Sequence, residues 1–196
     1  TLFPPSISIK KNINKKNIKK NFKNSKVKII TVCRLSKEKN IYEIIKAISE
    51  IKKRISFYII GIGSEKKEII KFIKSQNLES KVKLIGYKKN PLNYLLKADL
   101  YINSSYFEGF PNSVVEAAHI GLPIIASQSH GGINEILLKG KGGTIYRDSN
   151  ELKKSIEKFI DDPKIFLKKS IIAKKNSSHF NLKNHVARFE KILIGI

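Results

Sequence analysis

The chain has 196 residues, 39 Lys and Arg against 16 Asp and Glu, a net charge of +23, one cysteine and no methionine. That length suits one domain with a sizeable core, or one domain and a tail. No apolar run nears the roughly 18 residues that cross a bilayer, and one cysteine excludes an internal disulfide or a Cys-based metal cage.

Residues 1–26 read as a basic linker. Pro4 and Pro5 lead into Lys and Asn with sparse apolar residues, too few to order the segment alone. Its start lacks the charged-then-apolar order of a signal peptide. No acid precedes Glu38, while lysines crowd residues 10–26. Excess positive charge is a nucleic-acid signature. Here it is nearly all Lys and accompanies abundant Ile and Asn, and these three share A/T-rich codons. Phe22 alone interrupts the basic run as an aromatic, so bases have no stacking platform and no specific nucleic acid is expected. A basic face also suits an anionic membrane surface or a phosphorylated ligand. Thr1 in place of Met fits a piece of a longer protein.

The first strand is VKIITV, ending at Cys33. Ile41, Ile44, Ile45, Ile48 and Ile51 then fall at helical spacing. FYIIGIG is a strand entering a Gly turn; Ile69, Ile70 and Ile73 mark a helix; VKLIG is a strand. Residues 91–97 are a short helix opened by proline, and DLYINSS is a strand. Residues 112–120 are a helix closed by Gly121, PIIAS is a strand, residues 133–138 are a short helix, and GGTIY is the last strand. Two or three helices follow, divided at Asp162 and Pro163. Such alternation predicts an α/β fold with an open parallel sheet covered on both faces. Ligands in such sheets sit beyond the carboxyl ends of the strands.

Four segments occupy those ends. Arg34 and Lys39 flank a helix start, as at a pyrophosphate site, or are two solvated cations in a Lys-rich chain. Gly61 and Gly63 admit a backbone close to a ligand, or make a plain tight turn. Glu108 in a loop and Glu116 in the next helix are a pair able to grip sugar and ribose hydroxyls. Equally, they are a surface acid and an acid favoured near a helix N-terminus. His130 opens a Gly-rich loop as a phosphate donor or an exposed histidine. A lone apolar-flanked Cys33 is a small core residue, and the cytoplasm is the expected compartment.

In order and spacing, RLSKEKN, IGIG, EGFPNSVVEA, GLPIIAS and GGINEI resemble the C-terminal domain of family 4 retaining glycosyltransferases over residues 27–195. The resemblance implies the second Rossmann-like, doubly wound half of a GT-B fold, residues 27–196, binding a nucleotide-sugar, foremost a UDP-sugar. Arg34 and Lys39 then match the cations on the diphosphate, Glu116 the carboxylate on the ribose, and Glu108 the acid beside the donor sugar. Gly109, Phe110, Pro111 and Asn112 match the backbone cradle, and Tyr87 the region meeting the base. Glu108, Arg34 and Lys39 would act in catalysis. No metal or cofactor is expected, and the sequence has no D-x-D to hold one. Cys33 replaces the family's usual Gly and would crowd the phosphate loop; Asn134 stands where Pro is common. The family's N-terminal acceptor domain is absent, so donor binding without efficient transfer is expected. SHGGINEILLKGKGG is similar to members that build bacterial surface glycans and lipid-linked oligosaccharides, which implies a glycan or lipid-linked acceptor and contact with the inner face of the membrane. A non-catalytic nucleotide-binding or interaction module of the same fold is the alternative.

Overall fold

Short β-branched runs form strands when both faces are covered, and here six of them pair in one parallel sheet. The computed structural model describes residues 22, 25–129 and 131–180. His130 and most of residues 1–26 lie outside them. The strands are β1 (Val27–Val32), β2 (Ile55–Ile60), β3 (Val82–Gly86), β4 (Leu100–Asn103), β5 (Ile124–Ser127) and β6 (Thr144–Tyr146). Their order is β3-β2-β1-β4-β5-β6. The chain therefore builds outward from β1 through β2 to β3, then crosses back to place β4 on the other side of β1. This is the Rossmann-like doubly wound sheet expected, consistent with one half of a GT-B fold.

The helices are α1 (Ile41–Glu50), α2 (Lys66–Ser75), α3 (Leu92–Lys97), α4 (Asn112–His119), α5 (Ile133–Ile136), α6 (Ser149–Asp161) and α7 (Lys164–Ser177). The apolar stripes of α1, α2 and α6 cover one face of the sheet. Val114, Val115, Ile133, Ile136 and Ala173 bring α4, α5 and α7 onto the other. Asp148 caps α6, accepting from the Glu151 N–H at 2.9 Å.

Two features were not expected. A single 3-10 turn, Lys37–Lys39, precedes α1, and Asn40 follows it in the left-handed conformation at φ 45°. Phe22, in the segment read as linker, is 2% exposed and packs its ring at a tilt, 5.3 Å from that of Phe159. It is a core residue, which also removes it as a base-stacking platform.

The pairing of β1 with β2 continues into the loops beyond them. The Cys33 N–H donates to the Ile60 carbonyl at 3.0 Å and the Leu35 N–H to the Ile62 carbonyl at 2.9 Å. Gly61 and Gly63 permit this. A Cβ on Gly61 would lie 1.8 Å from the Cys33 carbonyl oxygen, and one on Gly63 would lie 2.2 Å from that of Leu35. The close approach these glycines serve is between two loops of the protein. Gly61→Ala, at φ 148°, should cost about 2–3 kcal/mol of stability. Gly109→Ala, with no atom within 4 Å of its Cβ position, should leave the urea midpoint nearly unchanged.

Candidate functional site

The sheet order opens a crevice between β1 and β4, where successive crossovers pass to opposite faces. The loop after β1 carries Arg34 and Lys39, and the loop after β4 carries Glu108. The two loops are bonded together. Ser104 Oγ donates to the Lys39 carbonyl at 2.8 Å, and the Tyr106 N–H donates to the Glu38 carbonyl at 2.9 Å. Lys39 Nζ lies 2.9 Å from Glu108 Oε1.

Lys39 and Glu108 are thus brought together as direct partners, with side chains 16% and 11% exposed. Arg34 is placed differently. Its side chain is 75% exposed and its guanidinium is 3.8 Å from Glu38 Oε1. The 3-10 turn separates it from the start of α1. The Ser36 hydroxyl donates to Glu38 at 2.6 Å and is the main cause that holds this carboxyl below its ordinary range.

Residues 109–112 lead into α4. Pro111 is the N-cap and provides no side-chain cap. The Val114 and Val115 N–H groups turn back to the Pro111 carbonyl, leaving the Asn112 and Ser113 N–H groups unpartnered among the described residues. Such groups attract an anion. Phe110 packs edge-on to Phe180 at 5.2 Å and is a packing residue. The Gly132 N–H donates to the Gly109 carbonyl at 2.9 Å, tying the loop after β5 to the same cradle. His130 lies outside the described residues.

Glu116 sits on α4, half-buried, with no side-chain partner among the described residues. Desolvation raises its carboxyl above the ordinary value. A carboxylate so placed is short of hydrogen-bond donors, which a pair of hydroxyls would supply. Tyr87, just past β3, is exposed. Cys33 packs its side chain against the α1-side core, and burial pushes the thiol up to about 12.

Several residues escaped the sequence reading. Asn103 and Ser105, both buried, donate to Glu108 Oε1 at 3.2 and 2.5 Å. Glu43 accepts from Asn40 Nδ2 and from the Tyr146 hydroxyl, each at 2.9 Å, and so fixes the residue after Lys39. The buried Tyr101 hydroxyl is 2.8 Å from Ser113 Oγ, joining β4 to the first turn of α4. The polar triplet Asn103, Ser104 and Ser105 at the end of an apolar strand was the available signal. Among the described residues no group of His, Cys, Asp and Glu could hold a metal ion, and no helix is long and apolar enough to cross a membrane.

Two substitutions probe this arrangement. Lys39→Met strips the cation from a mostly buried carboxylate and should cost about 3 kcal/mol, whereas Arg34→Met should leave the urea midpoint nearly unchanged. Glu116 has a raised pKa in the folded chain, so its contribution to stability is complete at low pH and is lost as pH rises through the folded value. Glu116→Gln should therefore make the free protein more stable than the parent at pH 7, with the gap narrowing at about pH 4.

The chain resembles known proteins in sequence and in fold. The chain is 30% identical over 139 residues to the N-acetylgalactosamine-N,N'-diacetylbacillosaminyl-diphospho-undecaprenol 4-alpha-N-acetylgalactosaminyltransferase of Campylobacter jejuni, covering 70% of this chain and 38% of the relative. It is 30% identical over 171 residues to the poly(glycerol-phosphate) alpha-glucosyltransferase of Bacillus subtilis, covering 85% of this chain and 25% of the relative. Among solved structures, Anabaena HepE in complex with UDP superposes with a TM-score of 0.79 at 24% identity, covering 90% of this chain and 50% of that one; this likeness concerns the fold. The chain thus spans half or less of the length of each. A family model described as glycosyl transferases group 1 matches residues 12–178. That match runs over most of the sequence, and the chain belongs to this family.

Proposed function

We propose that the chain is the donor-binding domain of a retaining, family 4 glycosyltransferase, with residues 27–196 as the domain and residues 1–26 as part of an interdomain connection. It takes a nucleotide-sugar, foremost a UDP-sugar. The observation that carries this reading is the Lys39–Glu108 pair across the β1/β4 crevice, 2.9 Å apart, beside the open N–H groups of α4.

In this reading the diphosphate lies against the start of α4, with Lys39 beside it and Arg34 swinging in from solvent. Glu116 accepts from the ribose hydroxyls and Glu108 from the donor sugar. Residues 109–112 supply backbone contacts, and Tyr87 meets the base. Gly61 and Gly63 shape the floor. As the bond from the anomeric carbon to the diphosphate breaks, negative charge grows on the leaving oxygen. Lys39, Arg34 and the helix N–H groups stabilise it. The acceptor hydroxyl bonds to the anomeric carbon on the face the diphosphate leaves, and its proton passes to the departing diphosphate oxygen. Both named relatives carry alpha in their names, the outcome that retention from an alpha donor would give. The Campylobacter relative is named for a diphospho-undecaprenol acceptor. By analogy this chain serves bacterial surface glycan synthesis, with a glycan or lipid-linked acceptor held by a further domain at the inner face of the membrane. No metal takes part, since cationic side chains and backbone N–H groups meet the phosphates.

Calorimetry with UDP, GDP and ADP at millimolar concentration tests the reading. UDP should bind, and equally well in EDTA; no heat with any of the three would overturn it, and loss in EDTA would overturn the metal-free mechanism. Lys39→Ala should weaken UDP binding by about 1.5–3 kcal/mol. Lys16→Ala should act only through diffuse attraction that high salt erases.

A further inference from the structure

Glu108 is held by one oxygen. Its Oε1 accepts from Ser105 Oγ at 2.5 Å and Asn103 Nδ2 at 3.2 Å and lies 2.9 Å from the Lys39 ammonium. No described residue donates to Oε2. A carboxylate oxygen has about two lone-pair sites, so Oε1 is saturated and Oε2 is the acceptor left for a ligand. A carboxylate torsion is broad and nearly two-fold, so nothing within Glu108 itself chooses between its oxygens. The choice comes from its partners.

Ser105 makes the shortest of the three contacts and is 1% exposed, so no ligand reaches it. A hydroxyl has one proton, and Ser105 spends it on Glu108. Its carbonyl is fixed in turn by Ser127 Oγ at 2.6 Å, from the end of β5. Lys39 cannot make the choice alone. An ammonium is a point charge with rotatable donors and pairs with either oxygen or both.

The geometry points to Ser105, assisted by Asn103, as the positioning residue that keeps Glu108 Oε2 open for one hydroxyl of the donor sugar. Without the Ser105 hydroxyl the carboxylate turns, Lys39 bridges both oxygens, and the sugar loses its acceptor while the nucleotide keeps its contacts. This inference rests on the donor-binding reading above.

The test is a double-mutant cycle read by calorimetry with UDP, UDP-glucose and UDP-N-acetylglucosamine on the full chain. The measured quantity is the ratio of the UDP-sugar Kd to the UDP Kd, for whichever of the two sugars the parent binds better. Ser105→Ala should raise this ratio about tenfold and leave the UDP Kd unchanged. In a Glu108→Gln background, Ser105→Ala should add nothing. If Ser105→Ala does not fold, Asn103→Ala serves in its place and should move the ratio in the same direction. Equal weakening of UDP and UDP-sugar would mean a merely structural serine, and an undiminished effect in the Glu108→Gln background would mean a route other than Glu108; either overturns the proposal. A parent chain that binds no UDP and no UDP-sugar is a different failure, that of the donor-binding reading itself.

Discussion

The loops after β1 and β4 leave neighbouring strands for opposite faces of the sheet, and left to themselves they would part. What closes them is a short set of polar contacts. Ser104 and the Tyr106 N–H grip the carbonyls of Lys39 and Glu38, and Lys39 reaches across to Glu108. The backbone contacts set the spacing and the ion pair fills it. Every other part of the site is hung from these two loops. Residues 109–112 follow Glu108 into α4, the loop after β5 is bonded to Gly109, and Asn40 is held by Glu43 just beyond Lys39. The parallel sheet supplies the rigid base, since its pairing runs on past the strands as far as Leu35 and Ile62.

The elements were legible because burial leaves a local imprint. VKIITV and PIIAS are apolar runs that fit only strands covered on both sides, and the isoleucines of α1 fall at a helical spacing that the structure buries at Ile41, Ile44, Ile45 and Ile48. The paired acids Glu108 and Glu116 stood out by their place after a strand. Their surroundings did not. The bond from Ser104 to Lys39 joins residues 65 positions apart, and such a contact leaves no periodicity to detect. Gly61 and Gly63 were visible as glycines, but that the approaching backbone belongs to Cys33 and Leu35 depends on sheet register. The outward course of Arg34 follows from the 3-10 turn of Lys37–Lys39, too short to leave a pattern of its own. Phe22 looked like part of a solvated segment because its neighbours in sequence are polar; its neighbours in space, Phe159 and the α6 face, are not.

The charges divide by depth. Pairs such as Lys53–Asp161 and Lys153–Glu50 lie at the surface, where an ion pair contributes little. The excess of lysine repels itself and favours solubility over stability. Away from the surface the balance differs. Glu108 is compensated by three donors, whereas Glu116 carries a desolvation cost with no partner among the described residues. A fold that keeps such a group has surrendered stability at a position where a ligand would repay it.

Cys33 has a consequence of a more practical kind. It is the sole cysteine in the sequence, and its burial pushes the thiol up to about 12. At neutral pH the sulfur stays protonated, and the thiolate is the species that attacks an electrophile. The native thiol should therefore react slowly with maleimides and disulfide-exchange reagents. A cysteine introduced at an exposed position just past β2 or β3, Ile62 or Tyr87, should be labelled well before Cys33, giving a fluorescent or spin reporter at the carboxyl ends of the strands without first replacing the native sulfur.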